Sequence, residues 1–398
     1  MNGWWERDDL RYASDRLMFA GRAAADLAHQ YGSPSFFYSA RRVAANMARL
    51  HAVLDAAGFA GLHRLNYAMK ANRFAPLLTW MKTSGLCRID ACSPQEVEHA
   101  VGCGFSPAEI SFTATSLSAR DFDRLSRLDG LVMNCDSLHS IREWGERGSG
   151  RKIGLRVNPA VGVGRADNEL LQYSGGRTTK FGIYREQFAE ALELAARYGL
   201  TIERIHFHTG CGYLTPQLPA WEQVVKECLW FVDRIATVTT VNIGGGLGVP
   251  HTAQDRPLDL ERWAAILTRH FQPRRLQIEV EPGDYLVKDA GLLLLTVNAV
   301  EKKQETVFVG VDAGFNIAVE PAVYGLPFQP VPVWLRPGGE PCTVVGNINE
   351  ALDVWYADVV LPPLASGDCL ALINAGAYSA SMASNHCMRG EFREFLLL

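Results

Sequence analysis

A lysine stands at the end of a short apolar run in Asn66-Tyr67-Ala68-Met69-Lys70-Ala71-Asn72, ahead of a helix-like segment over residues 74–81. An amine that a strand end delivers into an apolar pocket titrates low, and the neutral amine is a nucleophile towards aldehydes. Taken alone, a lysine in that place is more often a solvated loop residue. Other stretches change its meaning. In His206-Phe207-His208-Thr209-Gly210-Cys211-Gly212, the imidazole of His208 is of a kind that packs against a flat ring. Gly244-Gly245-Gly246 offers backbone N–H groups free of Cβ atoms, a nest for a phosphate-like anion. Glu281-Pro282-Gly283-Asp284 offers a carboxylate that could hold a protonated pyridine nitrogen. A ring held that way draws in the electron pair released when a bond to a neighbouring carbon breaks. Asp90, in Ile89-Asp90-Ala91-Cys92-Ser93, and Arg156, in Leu155-Arg156-Val157-Asn158-Pro159, complete the set.

Each of these residues closes an apolar run. The spacing predicts strands at 65–70, 87–91, 109–113, 131–135, 152–157, 202–209, 239–243 and 276–280, after a lead-in strand at 35–38. Helices are expected between them at 40–57, 94–102, 119–128, 186–198 and 218–235. Strands alternating with helices over about 250 residues point to a (β/α)8 barrel, with a doubly wound sheet as the runner-up. A barrel carries its chemistry at the C-terminal strand ends, where the residues above fall, and often binds phosphate after the seventh strand. Together they match what a Schiff base with pyridoxal phosphate requires. Beyond about residue 285 the helical period fades into β-rich pieces at 292–300, 306–311, 342–345 and 369–373, punctuated by proline and glycine. The expected organisation is an N-terminal segment 1–34 packing on a β-domain 286–398, with a cofactor-binding barrel over 35–285.

The chain has 398 residues, a formal net charge of −4 and 48% hydrophobic residues, so neither nucleic-acid binding nor a charged tail is indicated. Its beginning does not read as a signal peptide, and its longest apolar runs are too short to span a bilayer. Nine scattered cysteines without paired metal-ligand spacing suggest free thiols in a reducing cytoplasm and no metal site.

In six stretches, in order, the chain resembles the fold-type III pyridoxal-phosphate decarboxylases that act on diaminopimelate, ornithine and arginine. They are Tyr67-Ala68-Met69-Lys70-Ala71-Asn72, Asp90-Ala91-Cys92-Ser93-Pro94-Gln95-Glu96, His206-Phe207-His208-Thr209-Gly210, Gly244-Gly245-Gly246, Glu281-Pro282-Gly283 and Asn374-Ala375-Gly376-Ala377-Tyr378 with Met382-Ala383-Ser384-Asn385. The resemblance covers roughly residues 30–395 and is nearest to the diaminopimelate branch. It implies a homodimer with shared active sites, acting on a small amino acid. It implies Lys70 as the Schiff-base lysine, Glu281 as partner of the ring nitrogen and His208 stacked on the ring. Asp90 and Arg156 would support the site. Gly244, Gly245, Gly246 and Tyr378 would bind the phosphate, Tyr378 from the partner chain or near it, with Cys211 where the family often has a phosphate-binding serine. Racemases of similar barrel type place an arginine at the ring nitrogen, so Glu281 argues against racemisation.

Three departures concern the substrate end. The family's Cys-Glu-Ser-x-Asp, contributed across the dimer, is Asn349-Glu350-Ala351-Leu352-Asp353 here. Asn349 cannot supply the proton that the family's cysteine looks placed to give; Lys70, a water, Tyr378, His386 or Cys387 would have to. Asp284 and Glu320, the latter in Glu320-Pro321-Ala322-Val323-Tyr324, stand where the family's Glu-Pro-Gly-Arg and Arg-Pro-x-x-Tyr carry arginines. Asp284, Glu320, Tyr324, Asn349, Glu350, Asp353 and Tyr378 are the candidate substrate contacts, with Glu350 also a catalytic candidate. With Asp284 and Glu320 in place of two arginines, free diaminopimelate would be poorly held. The reading from sequence is therefore a decarboxylase of a diamino-acid derivative in specialised biosynthesis, such as siderophore or antibiotic assembly. The alternatives are diaminopimelate decarboxylase of lysine biosynthesis and a catalytically silent cofactor-binding homologue.

Overall fold

The computed structural model describes residues 3–165 and 168–398. Eight parallel strands form a closed barrel: β1 (His63–Ala68), β2 (Arg88–Ala91), β3 (Ile110–Thr113), β4 (Val132–Cys135), β5 (Lys152–Arg156), β6 (Thr201–His206), β7 (Thr240–Asn242) and β8 (Gln277–Val280). Each pairs with the next in sequence. β8 returns to β1 through Ile278–His63 and Val280–Leu65, and this closure rules out the doubly wound sheet.

The strands are short apolar runs, as parallel strands covered on both faces should be. The helices bury one stripe each: Leu260–Phe271 turns Trp263, Ala264, Ile266, Leu267 and Phe271 inward. Caps set where helices begin. After β2, Ser93 Oγ accepts the Glu96 N–H at 3.1 Å while the Glu96 carboxylate accepts the Cys92 N–H at 2.8 Å, so the chain turns sharply away just past Asp90.

A second sheet is built from β9 (Gly291–Lys303), β10 (Thr306–Val311), β11 (Pro330–Pro332), β12 (Glu340–Val345), β13 (Val354–Leu361), β14 (Cys369–Ile373) and β15 (Arg393–Leu397). The lead-in strand, Ser35–Ser39, belongs to this sheet and not to the barrel. It runs antiparallel to β9 and parallel to β15. All five of its residues are buried, so burial pattern alone could not tell it from a barrel strand. The N-terminal strands Leu10–Ala13, Arg16–Phe19 and Arg22–Ala23 were not anticipated, being two to four residues long in a polar stretch. They and the helix Ala24–Tyr31 bury Leu10, Leu17, Phe19 and Leu27 against Leu292, Leu294, Ala371 and Ile373 of the second sheet. β13 was also unforeseen: Asp358 sits at φ 54° within it and Val360 is exposed, which blurs its alternation.

The loop after β14 reaches back to the barrel. Tyr378 N–H donates to Ala71 O at 2.8 Å, Asn72 Nδ2 to Gly376 O at 3.0 Å and Ser381 Oγ to Ala71 O at 3.0 Å. One wall of the barrel mouth is therefore supplied by the second sheet. Among the described residues no helix is long and apolar enough to cross a membrane, and no group of three or more His, Cys, Asp or Glu is placed to hold a metal ion.

Candidate active site

β1 ends at Ala68, and Met69–Ala71 form one 3-10 turn, so a turn aims Lys70 rather than the strand itself. The turn is held from three sides. Tyr67 Oη donates to Asn72 O at 2.9 Å, Asn72 Oδ1 accepts the Phe74 N–H at 3.0 Å, and Ala68 N–H donates to Pro282 O at 3.2 Å. Lys70 Nζ lies 3.1 Å from Asp90 Oδ2 at the end of β2. Burial works against the ammonium, yet Asp90, with Cys92, Tyr378 and Glu281 behind it, outweighs that and holds the amine's pKa well above the usual lysine value. The expectation of a low-titrating amine is thereby corrected: this lysine rests as an ammonium beside a carboxylate. Burial and Glu281 push that carboxylate up to about 7, against the pull of Lys70, so it is able to accept a proton near neutrality.

Glu281 follows β8 and is almost wholly buried. His206 Nε2 stands 2.8 Å from Oε2, Asn242 Nδ2 donates to Oε1 at 2.7 Å, and Ser111 Oγ reaches Oε1 at 3.3 Å. Asn134 Nδ2 donates to Ser111 Oγ at 3.0 Å, so β3, β4, β6, β7 and β8 all contribute to one network. Burial raises the carboxyl, but the His206 ring, Lys70 and the Asn242 amide overcome it and hold Glu281 down at about 2. A permanently anionic carboxylate of this kind suits a protonated ring nitrogen. The sequence reading passed over His206, Asn242 and Ser111. His206 was detectable, since it stands two residues before His208, the interval that returns a side chain to one face of an extended segment.

His208 packs on Tyr173, ring centroids 5.0 Å apart. Its Nδ1 accepts the Gly245 N–H at 3.3 Å, which leaves the ring proton on Nε2, and Cys211 Sγ lies 3.6 Å from that atom. Burial, then Lys70 and Arg156, hold the imidazole neutral, its pKa well below the ordinary histidine value. Arg156 is buried over the Phe181 ring at 4.7 Å; burial lowers its pKa against the pull of Asp136 and Glu281. Burial pushes the Cys211 thiol up to about 11.

Gly245 and Gly246 are demanded by packing first. A Cβ on Gly245 would stand 2.2 Å from Glu281 O, and one on Gly246, where φ is +95°, 2.3 Å from Gly210 O. Gly244 N–H is taken by Asn242 Oδ1 at 3.0 Å. The Gly246 N–H and the Tyr378 hydroxyl have no hydrogen-bond partner among the described residues, and both residues line the mouth. Unused donors converging beside a glycine turn fit an anion, and with Lys70 and Glu281 in the same mouth the whole fits pyridoxal phosphate. Tyr378 lines the mouth of its own chain.

Lys70, His208, Cys211, Gly245, Gly246, Glu281, Asp284 and Tyr378 line one cleft. Glu320 is buried and Asp284 partly so, and both pair with Lys288, whose side chain has no exposure; Lys288 Nζ is 3.1 Å from Asp284 Oδ1. The acids are thus not free, contrary to the picture of two bare carboxylates facing the substrate. Tyr324 closes the short helix Glu320–Tyr324, with Glu320 one turn before it. Asn349 and Glu350 do not reach this chain's mouth: they are exposed on the second sheet, where Glu350 pairs with His386 at 3.3 Å. Asp353, expected at the substrate, instead accepts the N–H groups of Phe315 at 2.7 Å and Ile348 at 2.6 Å and orders the loops around it. A roomier cavity of about 440 Å³ opens at the opposite end of the barrel beside Gly130, Trp144, Arg151 and Arg204, and none of the singled-out residues lines it.

Comparison with known proteins agrees with this geometry. Residues 41–288 match the family model for the pyridoxal-binding domain of pyridoxal-dependent decarboxylases. A diaminopimelate decarboxylase of Methanothermobacter thermautotrophicus is 34% identical over 96% of this chain and 90% of its own length. The structure of diaminopimelate decarboxylase from Helicobacter pylori, complexed with L-lysine, superposes with a TM-score of 0.83 at 26% identity, covering 94% of each chain. That of the M. jannaschii enzyme, also with L-lysine, superposes at 0.88 over 98% of this chain and 93% of its own, and at 24% identity it speaks for the fold.

Proposed function

The chain belongs to the pyridoxal-dependent decarboxylases, carboxy-lyases that use pyridoxal phosphate, and on that premise we propose that it removes one carboxylate from diaminopimelate or a close diamino dicarboxylic acid. The observation that carries this reading is the pairing of charges across the mouth: an ammonium at Lys70 bonded to Asp90, opposite a carboxylate at Glu281 fixed by His206 and Asn242. L-lysine is diaminopimelate less one carbon dioxide, and the relatives solved with L-lysine bound support the substrate class. The turn towards siderophore or antibiotic assembly rested on Asp284 and Glu320 as bare acids. Lys288 answers much of their charge, and the relatives' names favour the lysine-forming alternative.

Pyridoxal phosphate held here would supply an electron sink for the pair set free at the α-carbon on loss of carbon dioxide. Glu281 keeps the ring nitrogen protonated, since a carboxylate held at about 2 does not take that proton itself. Lys70 is the amine that holds the cofactor, and Asp90 receives the proton its ammonium must give up first. Neutral His208 would pack against the cofactor's ring, and Gly246 N–H and Tyr378 Oη would bind its phosphate. Asn349 has no proton to give, and of the alternatives within this chain's mouth Lys70 is best placed to return one to the α-carbon.

The same proposal includes a homodimer. Asn349, Glu350, His386 and Cys387 are exposed on the second sheet beside Leu352 and Met388, the latter 87% accessible, an apolar rim suited to a second copy's mouth. The domain division 1–34, 35–285 and 286–398 is kept with the Ser35–Ser39 strand reassigned to the second sheet. The test is carbon dioxide release by the cofactor-loaded protein from meso-diaminopimelate, L-ornithine, L-arginine and N-acylated diamino acids. Diaminopimelate should lead by about 100-fold or more in kcat/KM. Silence towards it with turnover of an acylated or monocarboxylate substrate would overturn the assignment.

A further inference from the structure

Lys288 is a buried charge that the mechanism above leaves unused. It caps the short helix Asp284–Val287 that follows Glu281-Pro282-Gly283, and its ammonium meets Asp284 and Glu320 with no solvent contact. A buried lysine needs pairing, but here two carboxylates answer one ammonium. Asp284 lines the mouth with Gly245, Gly246, Cys211 and Tyr378, and its Oδ1, although 3.1 Å from Lys288 Nζ, completes no well-directed hydrogen bond. Lys288 Nζ also lies 5.7 Å from the centroid of the Tyr378 ring. The anion nest therefore borders a cluster of one positive and two negative groups. With both acids ionised, an incoming phosphate meets net negative charge; with one proton on the pair, the ammonium is left to face it.

We propose, resting on the cofactor reading above, that Lys288 is the cation for the cofactor's phosphate and that the Asp284–Glu320 pair takes up one proton as the phosphate binds. The proton comes from solvent to a carboxylate oxygen, and no bond of the phosphate changes. The charged neighbours of the pair allow this. From their own elements they face Lys288, Asp289 and Tyr324. From the segment after β5 comes Arg165, committed to Asp255 and to Val249 O. Cys211 and Tyr378 face the cluster as protonated groups, and His251 is kept neutral by burial and by Lys288. Burial pushes Glu320 up to about 7, with Asp284 adding and Lys288 opposing, so a proton is on hand near neutrality.

The experiment is equilibrium binding of pyridoxal phosphate and, separately, of pyridoxal to the full-length apoprotein from about pH 6 to 9. The ratio of the two affinities cancels the bond at Lys70 and isolates the phosphate. That ratio should fall by up to about tenfold per pH unit above about pH 7, the slope of one proton taken up. Glu320→Gln should flatten the slope and raise the ratio at high pH. Lys288→Met should lower the ratio by about tenfold or more, with Lys288→Arg restoring part of it. The double variant Lys288→Met with Glu320→Gln removes opposite charges together and covers the case in which Lys288→Met does not fold. A ratio indifferent to pH and to Lys288, or loss of both ligands in equal measure, would overturn the proposal while leaving the cofactor reading intact. A parent protein that bound neither ligand would bring down both.

Discussion

Two ends of one cleft treat buried charge in opposite ways. Around Glu281 a single carboxylate is surrounded by an imidazole, an amide and a hydroxyl, each anchored on a different barrel strand. Around Lys288 three ionisable side chains hold one another, with Asp284 and Glu320 each opening a separate short helix. The first arrangement fixes a charge, because its donors are there whether or not anything is bound. The second stores a choice of protonation states, because each member's charge depends on the others.

The contrast orders what substitution should do. Lys70→Ala should cost the largest factor, roughly 10³-fold or more in turnover, with loss of covalent cofactor seen by absorbance. Glu281→Gln should lower kcat by about 10²- to 10³-fold while cofactor is still bound, since the group that fixes the ring's proton is gone and its shape is kept. A loss confined to KM would break the distinction between the two ends. Asp353→Ala tests the fold alone: one buried and one part-buried N–H group left without an acceptor should reduce stability by about 2–3 kcal/mol in denaturant titrations. The pH dependence of stability should separate the ends in sign. Glu281 is depressed to about 2, so its contribution is full above the unfolded carboxyl value and is lost only as pH falls towards 2. Glu320 is raised to about 7, so the folded protein binds the extra proton and stability declines as pH climbs from about 4.5 to about 7. Glu320→Gln should remove that decline. Smallest of all, His386→Ala should change monomer stability by no more than about 1 kcal/mol, as its bond to Glu350 is solvent-exposed.

The barrel was legible because its signal is repetitive: eight apolar runs, each closing on a polar or glycine-rich end, recover β1 to β8 to within a few residues. Lys70, His208, Glu281 and the glycines were legible because each ends such a run. What escaped lies where meaning depends on a partner distant in sequence. His206, Asn242 and Ser111 are ordinary strand residues until Glu281 is brought among them. Lys288 reads as one more surface lysine until Glu320, 32 positions later, is folded against it. Asp353 looked like a substrate ligand from its motif, and only the loops at Phe315 and Ile348 reveal it as a brace.

The strand Ser35–Ser39 has a consequence for how the molecule is made. It leaves the ribosome early, yet its neighbours begin at Gly291 and Arg393, so it waits for about 250 residues before finding the first of them. Five buried residues with an unmatched edge are exposed to wrong partners throughout that interval. Newly synthesised chains should therefore be most vulnerable to aggregation before the strand that begins at Gly291 arrives.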